Sequence, residues 1–504
     1  MSSAVDGGRI AKNTLVLYFR MFFQMIVYLY TSRVVIDVLG VDDFGIYDVV
    51  GGVVIVLTFL NNAMTTATQR FITYALGRND SAYLNRVYSV SIIIHVFMAL
   101  GIFVVGETLG LWYVSNCMDI PELRKDSAMV VYHCSLVASM IMVMSVPYNA
   151  TIISNERMTA FASISILDVT LKLAIVLSLN IVPGDKLQMY ALMMVAEALV
   201  IRFIYGLYCS LSFKNIKFGF VRYCKLYTEM FKFAGWSTFG NLSIVCNTQG
   251  LNLVLNSIGG VSVNAARAIA FQVQSAMTSF ILSFQTAINP QITKQYAAGD
   301  VNVMNSLVLR SSRISFMLMM FIALPLMLEI EQIMELWLPV VPEYAPLFTR
   351  LLICVAMVDA ISNPMMIGAA ATGNVKKYYL VVGLTLLSAL PISILVTWMG
   401  APVEYVFVVQ LLVVIVAQVL RMMVCKELFG FSVLAFIRDV MLKTLIVLIV
   451  GSALPICAHL LLRPCVLSSV CVCIIAIVSV GTTVYFWGLT PEERMFVKNK
   501  IRRK

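Results

Sequence analysis

The sequence predicts an all-α polytopic membrane protein of about fourteen transmembrane helices, and three observations carry that prediction. Hydrophobic residues make up 60% of the 504, against 12% charged, and mean hydropathy is +0.91. Apolar runs recur that are long enough to span a hydrocarbon core, which takes about 20 helical residues. The linkers between them alternate, basic and then acidic. With the N-terminus taken as cytoplasmic, the 36 Lys and Arg fall in the inward-facing segments with few exceptions. Arg124, Lys125, Lys186, Arg350 and Arg463 lie outside, and Arg20, Arg33, Lys172, Arg202 and Arg267 lie within apolar segments. That asymmetry is the positive-inside rule applied along the whole chain, and it places both termini in the cytoplasm.

The elements follow in order. Met1 to Lys12 is polar and basic. The first apolar segment, 11–39, is too long for a signal peptide and is expected to remain in the mature protein. Asp37, Asp42 and Asp43 mark the outer linker before the second segment, 44–68. The third, 87–112, runs out to Asp119, Glu122 and Asp126, and the fourth, 127–149, returns. Segments 158–182 and 187–211 complete a set of six. The richest basic linker, with Lys214, Lys217, Arg222, Lys225 and Lys232, leads to 230–256 and 261–288. The ninth, 309–328, ends at the outer acids Glu329, Glu331, Glu335 and Glu343. Segments 347–370, 377–399 and 402–425 complete a second six, and 441–463 with 465–488 form a terminal pair before a basic tail. No linker exceeds roughly twenty residues, too few for a soluble catalytic domain.

The chain also repeats itself. Gln69-Arg-Phe-Ile-Thr-Tyr-Ala-Leu-Gly77 matches Gln291-Ile-Thr-Lys-Gln-Tyr-Ala-Ala-Gly299, and Leu109-Gly-Leu-Trp112 echoes Met334-Glu-Leu-Trp337. Pro147 before Ser154-Asn155 parallels Pro364 before Gly373-Asn374. Two parallel six-helix lobes follow, because an even number of helices per repeat preserves orientation. The expected division is an N-terminal lobe over 1–213, a C-terminal lobe over 214–428, and a terminal helix pair with its cytoplasmic tail over 429–504.

Composition excludes several classes. The net charge of +10 is spread over alternate loops instead of forming a patch, so it reports membrane orientation and no nucleic-acid partner is expected. Cys246, Cys354, Cys425, Cys457, Cys471 and Cys473 sit in or beside apolar segments, where free Cys acts as a small hydrophobe. His95, His133 and His459 are far apart, and no Cys or His spacing suits a metal. No phosphate-binding G-x-x-x-x-G-K-[ST] loop occurs, so energy must come from an ion gradient, the membrane potential or the substrate gradient.

Polar residues within the segments fall on faces. In the first, Asn13, Arg20, Gln24 and Thr31 are spaced to share one side, and so are Arg267, Gln274, Thr278, Gln285 and Asn289 in the eighth. The seventh carries Ser237, Asn241, Thr248, Asn252 and Asn256; the second carries Asp48, Asn62, Thr66 and Gln69, with Arg70 at its inner end. Such stripes face another helix or water, since lipid solvates neither amides nor charges. A wet lumen makes Arg20, Gln24, Asn62, Arg70, Asn241, Asn252, Asn256, Arg267, Gln274 and Gln285 the candidate substrate-binding residues. Guanidinium groups along it suit an anionic cargo. Among the intramembrane acids, Asp168 is four residues from Lys172 and is expected to pair with it, and Glu197 lies near Arg202 in sequence. Asp48 and Asp359 have no local partner and are the candidates for coupling to a proton or Na+.

Several stretches carry a family resemblance. They are Asn13-Thr-Leu-Val-Leu-Tyr-Phe-Arg-Met21, Leu29-Tyr-Thr-Ser-Arg-Val-Val35 with Leu39-Gly40, and Asp43-Phe-Gly-Ile-Tyr47. In the second half they are Gly250-Leu-Asn-Leu-Val-Leu-Asn256, Val263-Asn-Ala-Ala-Arg267 and Gln285-Thr-Ala-Ile-Asn-Pro-Gln291. In these the chain resembles the multidrug/oligosaccharidyl-lipid/polysaccharide exporter superfamily, and within it the polysaccharide-biosynthesis flippases of the O-antigen (Wzx) type. The resemblance implies a bacterial inner-membrane flippase without cofactor. It would move an undecaprenyl-diphosphate-linked oligosaccharide to the periplasmic leaflet by alternating access, alongside membrane lipids and other polysaccharide-assembly membrane proteins. Arg20 and Arg267 would hold the diphosphate or acidic sugars, and the amide stripes would meet sugar hydroxyls. The alternative is an ion-coupled multidrug exporter of the same superfamily, for which lumen acids and aromatics are expected. Peptidoglycan-precursor flipping ranks after it, and a membrane-embedded glycan polymerase or ligase is disfavoured by the short outer loops.

Overall fold

A computed structural model describes residues 7–57, 59–118, 120–219, 224–338, 340–462 and 465–502, in which no strand occurs. In a bilayer every backbone polar group must be satisfied within the chain, and helices do that segment by segment. Eleven helices among the described residues are long and apolar enough to cross a membrane, which makes this a multi-pass membrane protein. The chain divides into two compact units, Met1–Thr238 and Phe239–Lys504.

The first unit contains α1 (Gly7–Leu39), α2 (Val41–Leu57), α3 (Phe59–Gly77), α4 (Ser81–Val105), α5 (Leu111–Asn116), α6 (Lys125–Ser154), α7 (Met158–Ser178) and α8 (Lys186–Ser212). Helices α4 and α5 form one rod through a π-helical turn, Gly106–Gly110. Tyr132 of α6 explains it: its hydroxyl donates to the Gly106 carbonyl at 2.6 Å, drawing that oxygen toward the neighbouring helix. Gly110 makes room for the same hydroxyl, since a Cβ there would lie 2.2 Å from it. At one end of the unit Arg124 bridges Asp43 at 2.7 Å and Asp185 at 2.5 Å, tying the starts of α2 and α8 to α6.

The second unit begins inside α9 (Cys224–Ala297) and continues through α10 (Val301–Trp337), α11 (Ala345–Thr372), α12 (Lys376–Leu387), α13 (Ala389–Trp398), α14 (Tyr405–Phe429), α15 (Val433–Phe436), α16 (Leu442–Leu461), α17 (Val466–Thr483) and α18 (Pro491–Arg502). The helical run of α9 bends back on itself. Arg267 Nη2 lies 2.7 Å from the Thr248 carbonyl, whereas nineteen residues of straight helix would separate them by about 28 Å. Leu251, Leu255, Val263 and Ala266 are buried together in one cluster, so the reversal lies between Leu255 and Val263. The two arms of α9, with α2 and α3, are further helices beside those eleven.

Packing within each unit repeats. Helix α6 packs on α3, α4 and α8, while α11 packs on α10 and α14 and is bonded to the second arm of α9. Pro147 and Pro364 sit inside α6 and α11, and both helices end at a left-handed residue, Glu156 and Gly373. In α10 a backbone break falls at Glu329 (φ −110°, ψ 21°), one turn after Pro325, whose missing N–H leaves the Phe321 carbonyl without its helical partner. Glu329 is buried there, and its carboxylate meets His459 Nδ1 of α16 at 2.7 Å. The isolated histidine of the sequence thus ties the terminal pair to α10.

A polar cavity within the second unit

The second arm of α9 sorts its residues by face. Ala270, Met277, Ile281, Phe284 and Ile288 are buried in the core. Arg267, Gln274, Thr278 and Gln285, at the spacing that keeps a helix face together, line a cavity of about 510 Å³. The first arm adds Asn241, Asn247 and Thr248, α11 adds Asp359 and Asn363, and α14 adds Gln410 and Arg421. From Arg267 to Gln285 the arm rises about 27 Å, close to the thickness of a hydrocarbon core.

Individual side chains hold this lining in shape. Gln285 is 1% exposed and fully engaged: its Nε2 donates to Ser315 Oγ at 3.0 Å and to the Ala360 carbonyl at 3.1 Å. Its Oε1 accepts from Asn363 Nδ2 at 2.5 Å. It therefore positions the wall, and Asn363 is the amide it presents. Arg267 caps the reversal of α9 through the Thr248 carbonyl, with its guanidinium 5.8 Å from the Phe271 ring centroid. Arg421 Nη1 stands 4.0 Å from Asp359 Oδ1, and Asp359 is half-exposed into the cavity. The lining so assembled holds two guanidinium groups, one carboxylate, and amides and hydroxyls that both donate and accept.

Of the residues singled out from sequence, Asn241, Arg267, Gln274, Gln285 and Asp359 meet here. Asn252 does not line the cavity, and the side chains of Asp48 and Asn256 lie outside the described residues. The first-unit candidates are placed differently. Arg20 stacks 4.5 Å over the Phe161 ring of α7, and Gln24 Nε2 donates to the Ser165 carbonyl of α7 at 3.4 Å. That stripe is an interhelical seam. Arg70 lies among the Phe71, Tyr74 and Phe233 rings, and Asn62 is exposed on α3. Asp168 pairs with Lys172 at 2.7 Å as expected, whereas Arg202 lies 3.9 Å over the Tyr148 ring and makes no salt bridge to Glu197. Sequence reasoning missed Arg421 by leaving it among the inner basic flanks. It falls inside the 402–425 segment three residues after Gln418, a polar pair on one helix face that signals a partner within the bundle.

No protein-family model matches the chain, and no curated protein matches it. Solved structures do. A MATE transporter, ClbM, in complex with Rb+ shares 17% identity over 85% of this chain and 96% of its own, with a TM-score of 0.71. A MATE in the bent conformation gives 0.71 at 16% identity over 83% of this chain and 94% of its own. An outward-facing multidrug resistance MATE family transporter of the MOP superfamily gives 0.67 at 15% identity over 83% and 95%. By name these structures stand nearer to the multidrug alternative than to the flippase reading. The chain has the fold of the MATE transporters.

Proposed function

We propose that the chain is an exporter of a lipid-linked glycan, the undecaprenyl-diphosphate-linked oligosaccharide of the flippase reading. It would work by alternating access in the bacterial inner membrane with both termini cytoplasmic. One observation carries the cargo assignment: the cavity sets two guanidinium groups against one carboxylate among amides and hydroxyls. Such a lining offers hydroxyl-rich cargo both donors and acceptors, and it offers anionic groups planar, charge-assisted partners. Asp359 is the group in this cavity that would exchange a proton or Na+ during the cycle.

A second reading, an ion-coupled multidrug exporter, is supported by the fold shared with the multidrug MATE structures. Phe271, Phe407 and Tyr378 would then stack on an organic cation, with Asp359 as its counter-charge. Proteoliposome transport separates the two. The expected outcome is movement of a fluorescent undecaprenyl-diphosphate oligosaccharide by the wild type, and its loss in Arg267→Ala with thermal stability retained. Efflux of a cationic dye under an imposed proton or Na+ gradient, without glycan movement, would decide for the second reading.

A further inference from the structure

The cavity holds a guanidinium with donors to spare. Arg421 is 7% exposed, and its Nε and Nη1 are buried without a hydrogen-bond partner among the described residues. The Asp359 carboxylate, at 4.0 Å from Nη1, is beyond hydrogen-bond reach. Tyr378 lines the cavity beside the guanidinium, and Gln418, one turn away, is committed elsewhere. Its Oε1 accepts from Ser362 Oγ at 2.6 Å and its Nε2 faces Met365 Sδ at 3.3 Å. A buried charge with unpaired donors is costly unless something pairs with it, and this side chain lines the cavity.

We propose that Arg421 is the docking point for an oxyanion carried by the cargo, with Asp359 as the carboxylate that competes for it. The cargo assignment rests on the glycan reading above. Two sources share this chemistry, a carboxylate on an acidic sugar and a phosphate of the lipid carrier, and both match a guanidinium through paired N–H···O bonds. A neutral sugar offers Arg421 no counter-charge, so with a sugar carboxylate as the source the residue discriminates acidic from neutral glycans, and with the carrier phosphate as the source it holds both alike. Arg267, the second guanidinium of the lining, already donates to the Thr248 carbonyl near the reversal of α9.

The test is equilibrium binding of soluble probes to the full chain in nanodiscs: a glucuronate-bearing disaccharide, its neutral glucose counterpart, and inorganic pyrophosphate. Wild type is expected to bind one of the two anions at least tenfold more tightly than the neutral sugar, and the favoured anion identifies the source. Arg421→Gln is expected to lower that affinity about tenfold to a hundredfold, the scale of lost charge-assisted hydrogen bonds, with Arg421→Lys between. Arg438→Gln, which removes an exposed guanidinium lying on the Asp439 carboxylate, serves as the control. Asp359→Asn is expected to tighten anion binding several-fold, and it covers the case in which Arg421→Gln does not fold. Anion and neutral probes binding alike, no probe binding, or Asp359→Asn weakening the anion would each overturn the proposal. Probe binding with glycan translocation absent would overturn the flippase reading instead, and translocation with Arg421-independent binding would overturn only this site.

Discussion

Glu493 is the clearest place to test how the terminal segment is held. Its carboxylate accepts two hydrogen bonds from Arg313 Nη2, each at 2.8 Å, and one ion pair from Arg310 Nε at 2.8 Å. The Arg313 and Glu493 side chains are 5% and 7% exposed, so this arm is buried, whereas Arg310 is 37% exposed. Glu493 also accepts from the Thr490 N–H at 2.8 Å, closing the first turn of α18. Glu493→Ala leaves Arg313 buried without its carboxylate, which costs about 3–5 kcal/mol when one partner of such a pair is removed. The exposed Arg310 arm adds about 0–1 kcal/mol and the lost cap about 0.5–2 kcal/mol. A terminal helix of 12 residues can relieve that cost by undocking while the bundle stays folded. The expected result is therefore local: amide exchange over 489–502 accelerates about a hundredfold or more, with little change in the melting of the spans. Hydrogen-exchange mass spectrometry in nanodiscs reads it, with Arg313→Met and the double variant closing a cycle. Unchanged exchange in Glu493→Ala, or a double variant whose effect is the plain sum of the singles, would refute the reasoning.

Three further predictions follow from the packing and the termini. Gly240→Ala places a Cβ 2.2 Å from Tyr379 Cδ1 and is expected to destabilise by about 1–3 kcal/mol, read as a lowered melting temperature. Gly235→Ala meets nothing within 4 Å and should instead stabilise by up to about 1 kcal/mol. For Asp185, burial alone would raise the carboxyl pKa. Hydrogen bonds from Ser127 and from the Gln188 and Leu187 N–H groups, with the Arg124 charge, outweigh it and hold the pKa below its ordinary value. Its stabilising contribution is thus present above about pH 4 and is lost as pH falls through the lowered folded value, so Asp185→Asn should flatten the acid limb of the melting curve. Cys465 is exposed at the start of α17, with its thiol pKa lowered by hydrogen bonds from Ser468. A membrane-impermeant maleimide should label it from the periplasmic side, more slowly in Ser468→Ala; labelling only from the cytoplasmic side would reverse the assigned orientation.

The spans were legible because hydropathy and the Lys and Arg bias act on each segment alone. What a polar stripe faces was not, because that depends on how neighbouring helices are rotated against one another. Arg20 and Gln24 are spaced four apart, as Gln274 and Thr278 are, yet α7 covers the first stripe and a cavity opens before the second. Pairs between distant segments were equally hidden. Glu329 and His459 are 130 residues apart, and Asp359 finds Arg421 across α11 and α14. The Glu493 latch lay in a tail read only as basic, where acids in the first turn of α18 were outnumbered by the residues after them.

The two units put the same repeat to different uses, and the polar residues show why. In the first, Lys172 pairs with Asp168, and Arg20 and Arg202 lie against aromatic faces. Such contacts supply the satisfaction that a charge needs in a low-dielectric bundle, and they rigidify the helices that make them. In the second, Gln285 and Asn363 spend their hydrogen bonds on shaping a wall, while Arg421 lines the same cavity with two buried donor nitrogens unpaired. The two arrangements differ in kind, one a settled scaffold and the other a lining with a guanidinium left unpaired. If Arg421 served stability, replacing it by a neutral residue of similar size would weaken the bundle as breaking a buried pair does. Because its nearest carboxylate is 4.0 Å away, the same replacement should cost little in folding and most in binding. That separation of stability from affinity would mark the residue as functional.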